Sequence, residues 1–349
     1  AVTLTVYFLL PLQGQKLTLL AASYVFYMWQ APQFGLLLLA STLLTYGLGR
    51  AIGACWRGHR KLWLVFGCLV QFGLLFFYKY FDFLAMPLLR RLLGHPSLHL
   101  AILLPVGISF FTFAVTGYLF DIYRGKLLPE RNILNYAVFV AFFPSLLAGP
   151  IGKARDFLPQ LAQRHRASLV GIKFGLLRFA FGMLEKMVLA DGIAIAVNAA
   201  YTTGATAGQW LIVILLYGLQ IYFDFAGYSH MALGVATAFG FKLTENFKAP
   251  YFSCSVRSFW KKWHISLTSW LREYLYFPLG GSRKGDARRY FNILVVFAVS
   301  GLWHGAAWTY VLWGLLNGLF QVLECLAAPA QQRLEAHIQH PAAKLLWAG

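Results

Sequence analysis

Two histidines stand where chemistry can be expected. His264 lies in Phe259-Trp260-Lys261-Lys262-Trp263-His264-Ile265-Ser266-Leu267, and His304 lies in Gly301-Leu302-Trp303-His304-Gly305, inside an apolar run. An ionisable group at membrane depth is costly, so its presence there is a functional hypothesis by default. Imidazole titrates near neutrality, and apolar surroundings favour its neutral form. A neutral imidazole can take a proton from a sugar hydroxyl, whose oxygen can then attack an acyl thioester. Gly301 and Gly305, on either side of Trp303-His304, let backbone or substrate come close. Spacing alone leaves a second reading open for each histidine. His304 can bond a helix carbonyl and serve packing, and His264 can be an interfacial residue snorkelling beside Lys261 and Lys262.

Other ionisable groups invite the same question. Arg272-Glu273 reads as a structural ion pair, or Arg272 joins Lys261 and Lys262 as contacts for a thioester or its phosphates. Glu185-Lys186, Asp191, Asp224 and His230 interrupt apolar stretches. They suit either internal bonds between helices or the proton relay of a transporter or flippase. Transporter sites tend to occupy broken helices in two corresponding halves, and no such pairing is seen here. Phosphate cradles (GxxxxGK[ST]), zinc helices (HExxH) and serine elbows (GxSxG) are absent from the sequence. Cys55, Cys68, Cys254 and Cys325 form no CxxC or Cys/His pattern, so no metal site and no disulfide framework is signalled.

The elements that must position these groups are apolar. Of 349 residues, 59% are hydrophobic and only 12% are charged, about half the charged share of a soluble domain. Mean hydropathy is +0.61. Aromatics reach 17%, as expected where Trp and Tyr sit at headgroup level. These values predict an all-α, polytopic transmembrane helical bundle in contact with membrane lipid. The net charge of +18 falls in short loops between apolar segments, a pattern of cytoplasmic loops and anionic lipid rather than of nucleic acid. Arg50 to Lys61 is one such loop, with Arg50, Arg57, Arg60 and Lys61.

Leu62 to Met86, Leu98 to Phe120, Ile133 to Ala148, Leu169 to Ala200 and Trp210 to Phe241 read as apolar segments. Ile265 to Leu279 is only moderately apolar and predicts a re-entrant or amphipathic helix. Tyr290 to Leu326 predicts one helix broken near 301–305, or two short ones. No repeat or linker interrupts residues 1–349, so one domain is expected. With no initiator Met and an apolar segment opening at its end, the chain is expected to be truncated at both ends.

Phe259-Trp260-x-x-Trp263-His264-x-Ser266-Leu267-x-x-Trp270-Leu271-Arg272-x-Tyr274-Leu275-Tyr276-x-Pro278-Leu279-Gly280-Gly281, with Gly301 to Gly305 downstream, resembles the membrane-bound O-acyltransferase (MBOAT) family. The wording is most similar to the bacterial branch typified by alginate O-acetylation and teichoic-acid D-alanylation proteins. Leu104 to Phe113, Asp121 to Gly125, Ala148 to Ile151 and Asp224 to Ser229 extend the likeness over residues of about 15 to 320. It implies helices around a central funnel, with no tightly bound cofactor. It also implies an acyl thioester donor, acetyl-CoA or an acyl carrier protein, and a hydroxyl acceptor on a cell-envelope or secreted polysaccharide such as alginate. Teichoic-acid D-alanylation and peptidoglycan O-acetylation are the alternatives, and a non-catalytic membrane anchor is a third.

The resemblance makes His304 catalytic and places His264 in or near the same tunnel. Trp303, Trp263, Lys261, Lys262, Arg272 and Asp224 become candidate substrate contacts. It further implies a bacterial cytoplasmic (inner) membrane location and a periplasmic or extracellular acyltransferase partner. Two departures stand out: Phe143-Pro144-Ser145 where the family has Phe-Pro-Gln, and Tyr228-Ser229-His230 where it has Tyr-Ser-Asp. The second puts an imidazole where an acid is usual.

Overall fold

The computed structural model describes the chain except residues 1, 30, 57, 96–99, 101 and 338–349, with backbone alone for 331–337. Arg57 of the expected basic loop, and the start of the expected 98–120 span, therefore lie outside the described residues. Among the described residues the chain is helical, and strands do not occur. Among the described residues four helices are long and apolar enough to cross a membrane: Gln33–Ala54, Arg60–Leu93, Ala207–Ala238 and Trp308–Ala330. The described residues form two compact units, residues 1–73 with 105–245, and residues 74–104 with 246–349.

In the first unit the Leu169–Met183 helix packs along Ala207–Ala238. Glycines a heptad apart make this possible. A Cβ on Gly175 would lie 2.6 Å from the Gly234 carbonyl oxygen, and one on Gly182 would lie 2.6 Å from that of Gly227. Small residues at matching positions let helix backbones touch, which is the main route to helix association in lipid. Past these contacts the chain widens into a π-helical turn, Leu184–Ala190, before Asp191–Thr203. Glu185, 3% exposed, meets His230 there, carboxylate oxygen to Nδ1 at 2.5 Å. Lys186 bonds Asp191 at 2.6 Å and Asp224 at 2.7 Å. The polar residues that interrupt these apolar stretches thus bond one another between helices.

The expected 98–120 span is shorter than its hydropathy suggests. Its helix runs Ile108–Tyr123, beginning after Gly107, which is left-handed at φ 76°. A side chain there would meet the Leu146 carbonyl oxygen at 2.4 Å, so the chain turns where a helix would have continued. At its far end Asp121 is buried and faces Arg155 at 3.6 Å.

In the second unit the expected 290–326 run is two helices, Asp286–His304 and Trp308–His337. They pack through Gly301 and Gly314: a Cβ on Gly301 would lie 2.1 Å from the Tyr310 carbonyl oxygen and 3.2 Å from the Gly314 Cα. A Cβ on Gly305 would likewise lie 2.2 Å from a ring carbon of Tyr310. The glycines around His304 thus admit protein backbone and a tyrosine ring.

Candidate active site

Ser255 starts the first short helix of the site. Its hydroxyl accepts from the Ser258 amide at 3.0 Å, capping Val256–Lys262. Lys261 and Lys262 close that helix, where cations suit the carbonyl end. Trp263 is then extended, His264 is left-handed at φ 43° and ψ 55°, and Ile265–Leu271 begins. A non-glycine residue in that region is uncommon, and histidine is among the types enriched there.

Asn246 holds the kink. Its carbonyl accepts from the Ile265 amide at 3.0 Å, and its side-chain oxygen accepts from the Ser266 amide at 3.2 Å. Both Asn246 and His264 are buried. The expected re-entrant segment therefore consists of two short helices about a fixed corner, followed by a π-helical turn, Arg272–Tyr276.

The corner brings the two histidines to one indole. His264 and Trp303 meet edge to face with centroids 5.6 Å apart, and Trp303 meets His304 at 5.0 Å. Trp313 touches the His304 ring at 5.2 Å and faces Trp260 at 5.8 Å. The half-buried His304 imidazole therefore has an indole on each of two sides.

The same unit holds a cavity of about 470 Å³, whose lining includes Trp260 but not His264, Trp303 or His304. Four cations line it, Arg257, Lys261, Arg272 and Arg289, with Trp260 and Ser300. No carboxylate lines it among the described residues. The Trp260 indole nitrogen is buried and has no hydrogen-bond partner among the described residues. Arg257 and Arg289 each donate to the Cys325 sulfur at 3.0 Å, which fixes two guanidinium groups at the wall. Such a cavity suits an anionic ligand, since bidentate guanidinium groups match phosphate oxygens.

The residues singled out in the sequence divide accordingly. His264, Trp303 and His304 form one cluster, and Lys261 and Arg272 line the cavity. The Lys262 ammonium donates to the Phe252 carbonyl at 3.3 Å. Trp263 stacks on Phe259 at 5.4 Å and meets Phe247 at 5.1 Å, an aromatic packing position. Asp224 belongs to the first unit and is held by Lys186. Sequence reasoning did not find Lys79, Tyr80, Asn246 or Trp313. Of these, only the lysine within Phe76-Phe77-Tyr78-Lys79-Tyr80-Phe81 carried a signal, a cation inside an aromatic run.

Comparisons with known proteins point the same way. The profile of the MBOAT, membrane-bound O-acyltransferase family, matches residues 125–342. The chain is 40% identical over 330 residues to the probable alginate O-acetylase AlgI of Azotobacter vinelandii, covering 92% of this chain and 65% of that protein. It is 38% identical over 330 residues to the probable alginate O-acetylase AlgI of Pseudomonas putida, covering 92% and 67%. The peptidoglycan O-acetyltransferase of Helicobacter pylori is 35% identical over 334 residues, covering 87% and 63%. The chain thus spans about two thirds of the length of these relatives. The chain belongs to the membrane-bound O-acyltransferase family.

Proposed function

We propose that the protein is an O-acyltransferase of the bacterial cytoplasmic membrane. It moves an acetyl group from a cytoplasmic thioester donor toward hydroxyls of a cell-envelope or secreted polysaccharide, alginate being favoured by the relatives named above. The observation that carries this reading is the indole of Trp303 shared by His264 and His304, in the same unit as a cation-lined cavity. The basic lining suits the phosphates of coenzyme A or of a carrier protein's prosthetic arm.

In the reaction a nitrogen of His304 takes the proton of the acceptor hydroxyl. The freed oxygen pair bonds the thioester carbonyl carbon, and the carbon–sulfur bond breaks. The imidazolium then returns its proton to the departing thiolate, so the donor leaves as a thiol and the base is regenerated. His264 assists by holding Trp303 and lining the path. Aromatic walls keep water from competing for the acyl group. The acceptor is either the polymer hydroxyl itself or a hydroxyl on a periplasmic transferase that passes the acetyl on.

The test is polymer acylation in cells carrying the full-length protein, comparing wild type with His304→Ala and His264→Ala at matched membrane levels. His304→Ala is expected to abolish ester on the polymer while the protein still inserts, with a loss of about a hundredfold or more. Released ester analysed by mass identifies the acyl group. Undiminished acylation in His304→Ala would overturn the general-base reading and bring the anchor reading forward.

A further inference from the structure

The helix carrying His304 ends at His304, so its final carbonyls lack partners within the helix. Two are taken by adjacent residues from far away in sequence. The Lys79 ammonium donates to the Trp303 carbonyl, and the Tyr80 hydroxyl donates to the Leu302 carbonyl at 2.8 Å. The same ammonium lies 5.6 Å from the centroid of the Trp303 indole. A cation here also complements the negative end of the helix dipole.

The backbone that delivers these two side chains is unusual. Lys79 and Tyr80 lie in a π-helical stretch, Phe76–Ala85, within the long Arg60–Leu93 helix. Bonding from i to i+5 puts more residues in each turn, so neighbouring side chains diverge less than in an α-helix. That lets consecutive residues reach one helix end. π turns are uncommon and gather at functional sites.

We propose that Lys79 and Tyr80 are positioning residues for His304. They fix the two carbonyls before it, and Lys79 also braces the indole against which both imidazoles rest. Neither residue touches the reacting atoms in this role. The inference relies on the acyltransfer reading for its readout, and the test separates the two.

The experiment measures donor KM and kcat for the full-length protein in membranes, at matched amounts of folded enzyme. The variants are Lys79→Met, Lys79→Arg, Tyr80→Phe, His304→Ala and the double variant Lys79→Met/His304→Ala. Lys79→Met is expected to lower kcat by up to about a hundredfold, the effect of misplacing a catalytic group by an ångström, while donor KM moves by less than about twofold. Lys79→Arg restores part of the loss, because charge and donor remain. Tyr80→Phe shows a smaller fall in kcat alone. The double variant is no slower than His304→Ala, since Lys79 acts only through that imidazole.

Three results would overturn the proposal. They are a wild-type kcat in Lys79→Met, a loss confined to KM, or a double variant slower than His304→Ala by the full Lys79→Met factor. If Lys79→Met does not accumulate, wild-type kcat in both Tyr80→Phe and Lys79→Arg overturns it equally. A fully active His304→Ala is a different failure: it removes the general-base reading, and with it any need to position that residue.

Discussion

His264 and Trp303 meet edge to face with ring centroids 5.6 Å apart, although one lies at the corner before Ile265–Leu271 and the other in the Asp286–His304 helix. Trp303 is 8% exposed, a buried wall between two imidazoles. A buried indole has few rotamers open to it once its neighbours are packed. Each histidine is therefore held by a ring that the other also touches.

Replacing that ring separates its packing from its shape. Trp303→Ala removes a buried indole and is expected to cost about 3–5 kcal/mol, read as a lower midpoint of thermal unfolding in detergent, with loss of acylation. Trp303→Phe keeps an aromatic face and is expected to fold, with turnover reduced by about tenfold as both imidazoles gain freedom. Unchanged unfolding and turnover in Trp303→Ala would remove the indole from the account.

The two histidines were legible in the sequence because imidazoles are rare in apolar runs, and the ordered aromatic motif around them is distinctive. Glu185, Asp224 and His230 could be seen as a polar set inside apolar segments, but their pairing needed the glycine-packed helices. Lys79 could not be found as a partner of Trp303, because 224 residues separate them. The cavity was illegible for a similar reason. Arg257 and Arg289 come from different helices and converge only through the Cys325 sulfur. Hydropathy also overran the start of the Ile108–Tyr123 helix, since an apolar loop and an apolar helix look alike until a left-handed glycine ends one of them.

Gly301 and Gly305 flank the same dipeptide yet face different obstacles. A Cβ on Gly301 meets backbone, the Tyr310 carbonyl oxygen at 2.1 Å, whereas one on Gly305 meets the Tyr310 ring at 2.2 Å. Backbone cannot step aside without parting two helices. Gly301→Ala is therefore expected to cost about 1–3 kcal/mol and to reduce membrane accumulation. Gly305→Ala asks only that an exposed ring turn, and its backbone is already extended, so the cost is expected to be smaller. Equal unfolding midpoints for the two would contradict this packing.

Asn246 and His264 can be tested as a hinge and its pin. Asn246→Ala leaves the buried Ser266 amide without its acceptor, a loss of about 1–3 kcal/mol, and frees the left-handed corner. His264→Asn places at that corner another residue that tolerates left-handed backbone. It is expected to unfold near the wild-type midpoint while losing acyl transfer, which isolates the imidazole's chemistry from the geometry of the turn. If His264→Asn instead unfolds as readily as Asn246→Ala, the imidazole is there for packing.

His230 stands in Tyr228-Ser229-His230, where the family resemblance implies an acid. An acid at position 230 is conservative from the motif alone, but the structure gives the opposite sign. Glu185 already supplies a carboxylate at 2.5 Å from the His230 ring, and its burial leaves little water to screen a second one. His230→Asp would set two carboxylates against each other inside the first unit. The expected cost is about 3–5 kcal/mol, the range for breaking a buried pair, seen as a lower unfolding midpoint and poor accumulation in membranes. Glu185→Gln in the His230→Asp background removes the repulsion and supplies an amide donor, so stability is expected to return in the double variant. This non-additivity is the diagnostic, because independent sites would simply sum. A His230→Asp protein as stable as wild type would mean that the pair contributes nothing, and that the imidazole is interchangeable with the usual acid.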